Sequence, residues 1–163
     1  MSTFALPQKF QNWINKRNWG LHTHQIDVLT NSDRKSQLLI APTGSGKTLS
    51  GFLPTLIELD RVNFSGLHTV YVSPLKALAA DIKRNLMIPI EEMGLNIKVE
   101  DRTGDTTAKT KRRQRIDPPQ ILLTTPESLA LLISFPEANA LFANLERIII
   151  DEIHALVENK RGH

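Results

Sequence analysis

The sequence predicts an α/β fold: a parallel sheet of about five strands with helices on both faces, preceded by two short N-terminal helices. Three observations predict it. An apolar run, Leu38-Leu39-Ile40, leads into the glycine-rich stretch Ala41-Pro42-Thr43-Gly44-Ser45-Gly46-Lys47-Thr48 and then into the helix-compatible segment Leu49 to Leu59. Along the rest of the chain, short apolar runs bounded by Pro and Gly alternate with segments whose apolar residues recur about every 3.6 positions. The last run, Ile148-Ile149-Ile150, ends in the acid pair Asp151-Glu152, and in sheets of this kind the loops at the carboxyl ends of strands carry function.

Each element follows in order. Pro7 opens a helix to Arg17 that carries Phe10, Trp13 and Ile14 on one face, and Asn18-Trp19-Gly20 breaks it, with Trp19 expected as a packing anchor. His22 to Leu29 is a second short helix. The first strand is Gln37 to Ala41, followed by the glycine-rich turn and its helix. His68 to Ser73 is the second strand, more uniformly apolar than alternating, as a strand covered on both faces should be. Leu75 to Leu86 keeps helical period through Leu75, Leu78, Ala79, Ile82 and Leu86, with Pro89 bending or ending it. Ile97 to Val99 is a short third strand. Thr103-Gly104-Asp105 is a turn, after which Asp105 or Thr106 can cap a helix. Ile121 to Thr125 is the fourth strand, Pro126 opens a helix over Glu127 to Ser134, and Arg147 to Asp151 is the fifth strand.

At 163 residues, 40% apolar and 23% charged, the chain can bury the core of one domain. It contains no apolar run long enough to span a bilayer, and residues 1–10 carry neither a signal nor a transit pattern. The expectation is a cytoplasmic protein without a membrane partner. Having no cysteine, the chain is excluded from disulfides, thiolate zinc sites and thiol catalysis, and fits a reducing cytosol. The formal charge of +3 leans toward a polyanionic partner.

The glycine-rich stretch has the chemistry of a phosphate-binding loop. Gly44 and Gly46 lack a Cβ, so the backbone can enter left-handed conformations and turn successive N–H groups into one concavity. Thr43 and Ser45 lie in the same loop, and the following helix adds its positive N-terminal end. Lys47 places a charge against the β- and γ-phosphates, and the Thr48 hydroxyl is spaced to hold a magnesium ion. Ala41 stands where the general pattern has its first glycine. A triphosphate at Lys47 needs a carboxylate for its metal and a base for the attacking water. Asp151 at the strand tip suits the metal, and Glu152 suits the water.

With these residues in view, Ala41 to Thr48 together with Asp151-Glu152-Ile153-His154 resembles motif I and the DExH box of superfamily 2 helicases. The resemblance extends to Ser73-Pro74-Leu75-Lys76-Ala77-Leu78, to Arg102-Thr103-Gly104-Asp105-Thr106 and to Thr124-Thr125-Pro126-Glu127-Ser128-Leu129. These spellings are most similar to the Lhr (large helicase-related) group, and Leu67-His68-Thr69 with His154-Ala155-Leu156 is similar to its bacterial ligase-associated branch. The resemblance implies a RecA-like P-loop NTPase domain, ATP and Mg2+ as cofactors, and His154 as a residue coupling the nucleotide site to the next motif. Gln25 resembles the adenine-reading glutamine of a Q motif, although Leu21-His22-Thr23-His24 occupies the place where such motifs often carry proline. It also implies ATP-driven 3′-to-5′ movement on single-stranded DNA and unwinding, a role in DNA repair, and a possible functional association with a DNA ligase.

The resemblance favours DNA over RNA. Ser73, Pro74 and Leu75, Thr103 and Gly104, and Thr124 and Thr125 lie where strands end, so their hydroxyls and backbone N–H groups suit phosphates, with Lys76 adding charge. Lys109, Lys111, Arg112, Arg113 and Arg115 crowd one helix, which reads either as a solvated face or as a strand contact. By comparison with a superfamily 2 motor, residues 1–163 are expected to be the N-terminal helicase ATP-binding domain, incomplete at its C-terminus and without the second RecA-like domain. The other readings are a nucleotide-responsive nucleic-acid-binding module and an inactive fragment without turnover.

Overall fold

The computed structural model describes residues 4–42 and 44–158. They form two compact units, one within residues 1–63 and 88–96, the other within residues 64–87 and 97–163.

In the first unit, α1 (Gln8–Lys16) buries Phe10, Trp13 and Ile14, the stripe its spacing predicts. The Trp13 indole donates to Glu92 at 2.6 Å, and Arg17 pairs with the same carboxylate. These hydrogen bonds from Arg17 and Trp13 hold the Glu92 carboxyl below its ordinary pKa. Asn18 takes a positive φ of 53° and ends the helix. Trp19 is not a core anchor: it stays half exposed, edge-on to Trp13 and beneath the Arg17 guanidinium. The second helix, α2 (Thr23–Thr30), packs on α3 (Lys47–Arg61). From Phe52 to Ile57 every residue of α3 is buried, Pro54 included.

The expected strand over residues 37–41 is absent. The segment is irregular, and Leu38 and Ile40 are 74% and 84% exposed. An apolar triplet marks an extended segment, but a strand also needs a hydrogen-bonded neighbour, which sequence pattern does not specify.

In the second unit, β1 (Thr69–Val72), β2 (Val99–Arg102), β3 (Ile121–Thr124) and β4 (Arg147–Ile150) form a four-stranded sheet in the order β2-β3-β1-β4. All three pairings are parallel, with Thr69 level with Ile121 and Arg147. The two inner strands are buried at every position, the pattern expected of strands covered on both faces. Val70, Val72 and Leu122 point to one side and meet Leu132 and Leu141 from α6 (Pro126–Ile133) and α7 (Ala138–Leu141). The sheet therefore has four strands where about five are expected.

Other boundaries shift for identifiable reasons. The third strand starts at Val99 rather than Ile97 and runs through Glu100-Asp101-Arg102, charges that hide it from an apolar pattern. The two carboxylates are neutralised locally, Asp101 by Lys83 at 2.9 Å and Glu100 by Arg113 at 2.5 Å. Helix α4 (Lys76–Glu92) passes through Pro89 without stopping. Helix α5 (Ala108–Ile116) is capped by Thr107, whose hydroxyl accepts the Thr110 N–H at 3.2 Å; Thr106 instead accepts the Thr103 N–H and closes the preceding turn. Helix α8 (Ile153–Glu158) follows β4. Among the described residues, no helix is long and apolar enough to cross a membrane.

Candidate functional site

The glycine-rich loop belongs to the first unit. Gly44 and Gly46 have φ of 79° and 75°, the left-handed values their residue type permits, and Gly46 is the N-cap of α3. Ser45 turns back on Pro42, donating its hydroxyl at 2.6 Å and its N–H at 3.3 Å to that carbonyl. Thr43, expected in the same loop, lies outside the described residues.

The Gly46 carbonyl accepts the Ser50 N–H and hydroxyl, each at 3.0 Å, and the Gln25 amide at 3.3 Å. In a trans peptide the carbonyl and the following N–H point in opposite directions. Holding Gly46 C=O toward the helix therefore aims the Lys47 N–H away from it. Since the first helical bond is Ser50 to Gly46, the N–H groups of Lys47, Thr48 and Leu49 lack helical partners, the condition for anion binding at a helix start. Lys47 and Thr48 are half-buried on this first turn, and among the described residues Lys47 forms no ion pair.

Gln25 is buried, and both ends of its amide serve the unit itself: the oxygen accepts the His22 N–H at 2.8 Å while the nitrogen braces Gly46. A Cβ on Gly46 would lie 2.8 Å from the Gln25 amide nitrogen, whereas one on Gly44 would meet nothing within 4 Å. Both glycines carry the same left-handed penalty of about 1–2 kcal/mol for a side chain. Gly46→Ala is therefore expected to melt at a lower temperature than Gly44→Ala in circular dichroism, and the reverse order would show that the brace is not rigid.

The acid pair belongs to the second unit. Beyond β4 the Asp151 N–H still donates to the Val72 carbonyl at 3.0 Å, extending the ladder by one bond. The Asp151 carboxylate accepts the Tyr71 hydroxyl on one oxygen at 2.7 Å and the Glu152 N–H on the other at 2.8 Å. Burial, reinforced by Asp151, pushes the Tyr71 hydroxyl far above its ordinary pKa, so it remains a donor. Glu152 has a φ of 51°, a left-handed conformation that costs a non-glycine residue about 1–2 kcal/mol. His154 is exposed, and its Nε2 lies 3.0 Å from the Glu152 carboxylate. Sequence reasoning missed Tyr71. Strand alternation carries the signal, but only once Tyr71 is known to lie level with Ile149, two residues before Asp151.

The strand-end residues expected to meet nucleic acid divide into two sets. Ser73, Thr103, Thr124 and Thr125 are buried. The Thr124 hydroxyl donates to Arg102 O at 2.7 Å, the Thr103 hydroxyl accepts the Asp105 N–H at 3.3 Å, and Thr125 caps α6 through the Ser128 N–H at 3.3 Å. Three hydroxyls thus hold strand ends, turns and caps. Leu75, Lys76 and Gly104 are exposed and Pro74 is half-buried; Lys76 pairs with Asp105 at 3.2 Å, beside Gly104.

The basic helix is similarly split. Arg113 pairs with Glu100, the Arg115 guanidinium lies 3.9 Å from the Phe135 ring centroid, and Lys111 reaches the Gly104 carbonyl at 3.4 Å. Burial raises the Glu100 pKa, but hydrogen bonds from Arg113 and Gln114 outweigh it, so the carboxyl sits below its ordinary value. Lys109 and Arg112 are the exposed cations of this helix.

Residues 22–163 match the family described as DEAD/DEAH box helicase. An ATP-dependent helicase Lhr-Core of Methanocaldococcus jannaschii is 44% identical over 143 residues, covering 78% of this chain and 17% of that protein. The Lhr helicase/uracil glycosylase of Escherichia coli is 41% identical over 144 residues, covering 77% of this chain and 9% of that protein. The chain thus spans less than a fifth of the length of these relatives. The helicase Lhr of Mycobacterium smegmatis, solved with ssDNA and AMP-PNP, superposes with a TM-score of 0.81 at 37% identity, covering 91% of this chain and 20% of that one. The fold is that of a RecA-like helicase core, and the loop, the acid pair and the strand-end motifs fall inside the matched region. This chain belongs to the DEAD/DEAH box helicase family, with Lhr-type helicases among its relatives.

Proposed function

We propose that this chain is the ATP-binding front portion of an ATP-dependent DNA helicase. In the whole protein, ATP hydrolysis would drive movement on single-stranded DNA and unwinding. The observation that carries this reading is the loop itself, where two left-handed glycines enter α3 and three donors brace the Gly46 carbonyl.

The donor set fits a nucleotide with its metal. Among the described residues no cluster of three or more His, Cys, Asp or Glu could cage an ion, so magnesium would arrive with the phosphates that supply most of its ligands. Gly44, Ser45, Gly46 and Lys47 would hold the phosphates, with Thr43 from the same loop. Thr48 and Asp151 would serve the ion, which neutralises charge on the transferred phosphoryl group. Glu152 would orient and deprotonate the water, and His154, beside it, would link that carboxylate to the next motif. Gln25 acts on the loop through Gly46 and remains the candidate adenine reader.

The ssDNA held by the Mycobacterium smegmatis relative supports single-stranded DNA as the partner. A cytoplasmic location, a role in DNA repair and functional association with a DNA ligase belong to the same reading. Its test is DNA-stimulated ATP hydrolysis by this chain and by a longer chain that carries it. Stimulated turnover in the longer chain supports the motor; none in either sinks it.

The structure sharpens what DNA binding should look like. Lys109 and Arg112 are exposed, whereas Arg113 and Arg115 have partners within the fold. Replacing Lys109 and Arg112 by Gln should make the slope of log affinity against log salt shallower by about 0.7 for each lost phosphate contact on a single strand. Fluorescence anisotropy over a salt series, with folding checked by circular dichroism, measures it. An unchanged slope makes the helix a solvated face.

A further inference from the structure

The run Thr69-Val70-Tyr71-Val72 is an inner strand with every residue buried, yet Tyr71 carries a hydroxyl. A buried hydroxyl without a partner costs about 1–3 kcal/mol, so its partner matters. Tyr71 lies level with Ile149, and side chains alternate along a strand, so Asp151 projects on the same side as Tyr71. The reach is met: the hydroxyl donates to one Asp151 oxygen at 2.7 Å while the Glu152 N–H donates to the other at 2.8 Å.

We propose that Tyr71 is a positioning residue for the metal-serving carboxylate: its hydroxyl locks the plane of Asp151 and leaves the remaining lone pairs for service to a magnesium ion. This rests on the reading of Asp151 given above. A carboxylate turns about a broad torsion with little preference. Two donors on two different oxygens, one from a buried ring and one from the backbone, remove that freedom. Each oxygen keeps acceptor capacity for water or metal. The ring is 1% exposed on an inner strand, so the hydroxyl is held by packing and Asp151 is ordered before any ligand arrives.

Tyr71→Phe keeps the ring and removes one oxygen. In the chain with a fluorescent ATP analogue, MgCl2 titrated under anisotropy readout should show half-saturation raised about tenfold, the lower end of the range for partners of metal ligands. Affinity for the metal-free nucleotide should stay unchanged, a split that a merely structural hydroxyl would not produce. Asp151→Asn should raise half-saturation at least as much, and adding Tyr71→Phe to it should change nothing further. Wild-type half-saturation in Tyr71→Phe overturns the proposal. So do additive shifts in the double variant, or metal-free affinity and melting temperature falling together, including an unfolded Tyr71→Phe chain. If Asp151→Asn itself leaves half-saturation at the wild-type value, the reading of Asp151 fails first, and the proposal falls with it.

Discussion

Glu152→Gln should leave ATP binding near the wild-type level while lowering hydrolysis by at least about a hundredfold, the low end of what a positioned general base contributes. The amide keeps the size of the side chain and the backbone turn at φ 51°, so the end of β4 and the Asp151 contacts should survive. It loses the ability to take a proton from water. It also puts an amide in place of the carboxylate that lies 3.0 Å from His154 Nε2. Single-turnover hydrolysis beside equilibrium binding, in a chain long enough to turn over, separates these effects. Equal loss of binding and turnover would make Glu152 a structural hinge.

Lys47→Ala should weaken nucleotide binding by roughly tenfold to a hundredfold, since a hydrogen bond between charged groups contributes about 1.5–3 kcal/mol. Lys47 is the one cation among residues 41–48, so nothing else in the loop replaces it. The substitution should leave the fold intact, because the Gly46 brace uses Gln25 and Ser50 rather than the lysine. Isothermal titration calorimetry with ATP and Mg2+ gives the affinity, and an unchanged melting temperature confirms that the loss is local.

How much of this was legible in the sequence depended on which physical signal each residue carried. The helix face of Phe10, Trp13 and Ile14 is a local period, and the burial follows it. Strands β1 and β3 are spelled by apolar runs because both their faces are covered, and the edge strand β4 by Ile148-Ile149-Ile150, although Ile148 and Ile150 stay half exposed. β2 is not, since Glu100, Asp101 and Arg102 are charged and find partners on α4 and α5. Residues 37–41 carry a strand's composition without a paired neighbour, and pairing is a long-range property. Helix α7 is four residues long, too short to show a period.

The candidate site divides the same way. Glycines that must turn left-handed and a lysine at a helix start are visible as residue types. That Gln25 braces Gly46, that Tyr71 holds Asp151, and that Thr124 and Thr125 hold strand and helix ends are contacts between residues distant in sequence or choices among several hydroxyls.

On this reading the chain binds a nucleoside triphosphate through the loop before α3. Titrating a fluorescent ATP analogue with Mg2+ into the purified chain, beside its Lys47→Ala variant, tests it most directly. The expected result is saturable binding that unlabelled ATP displaces and that the variant weakens at least about tenfold. A saturable curve identical in the two proteins, or none with the folded wild-type chain, would contradict it.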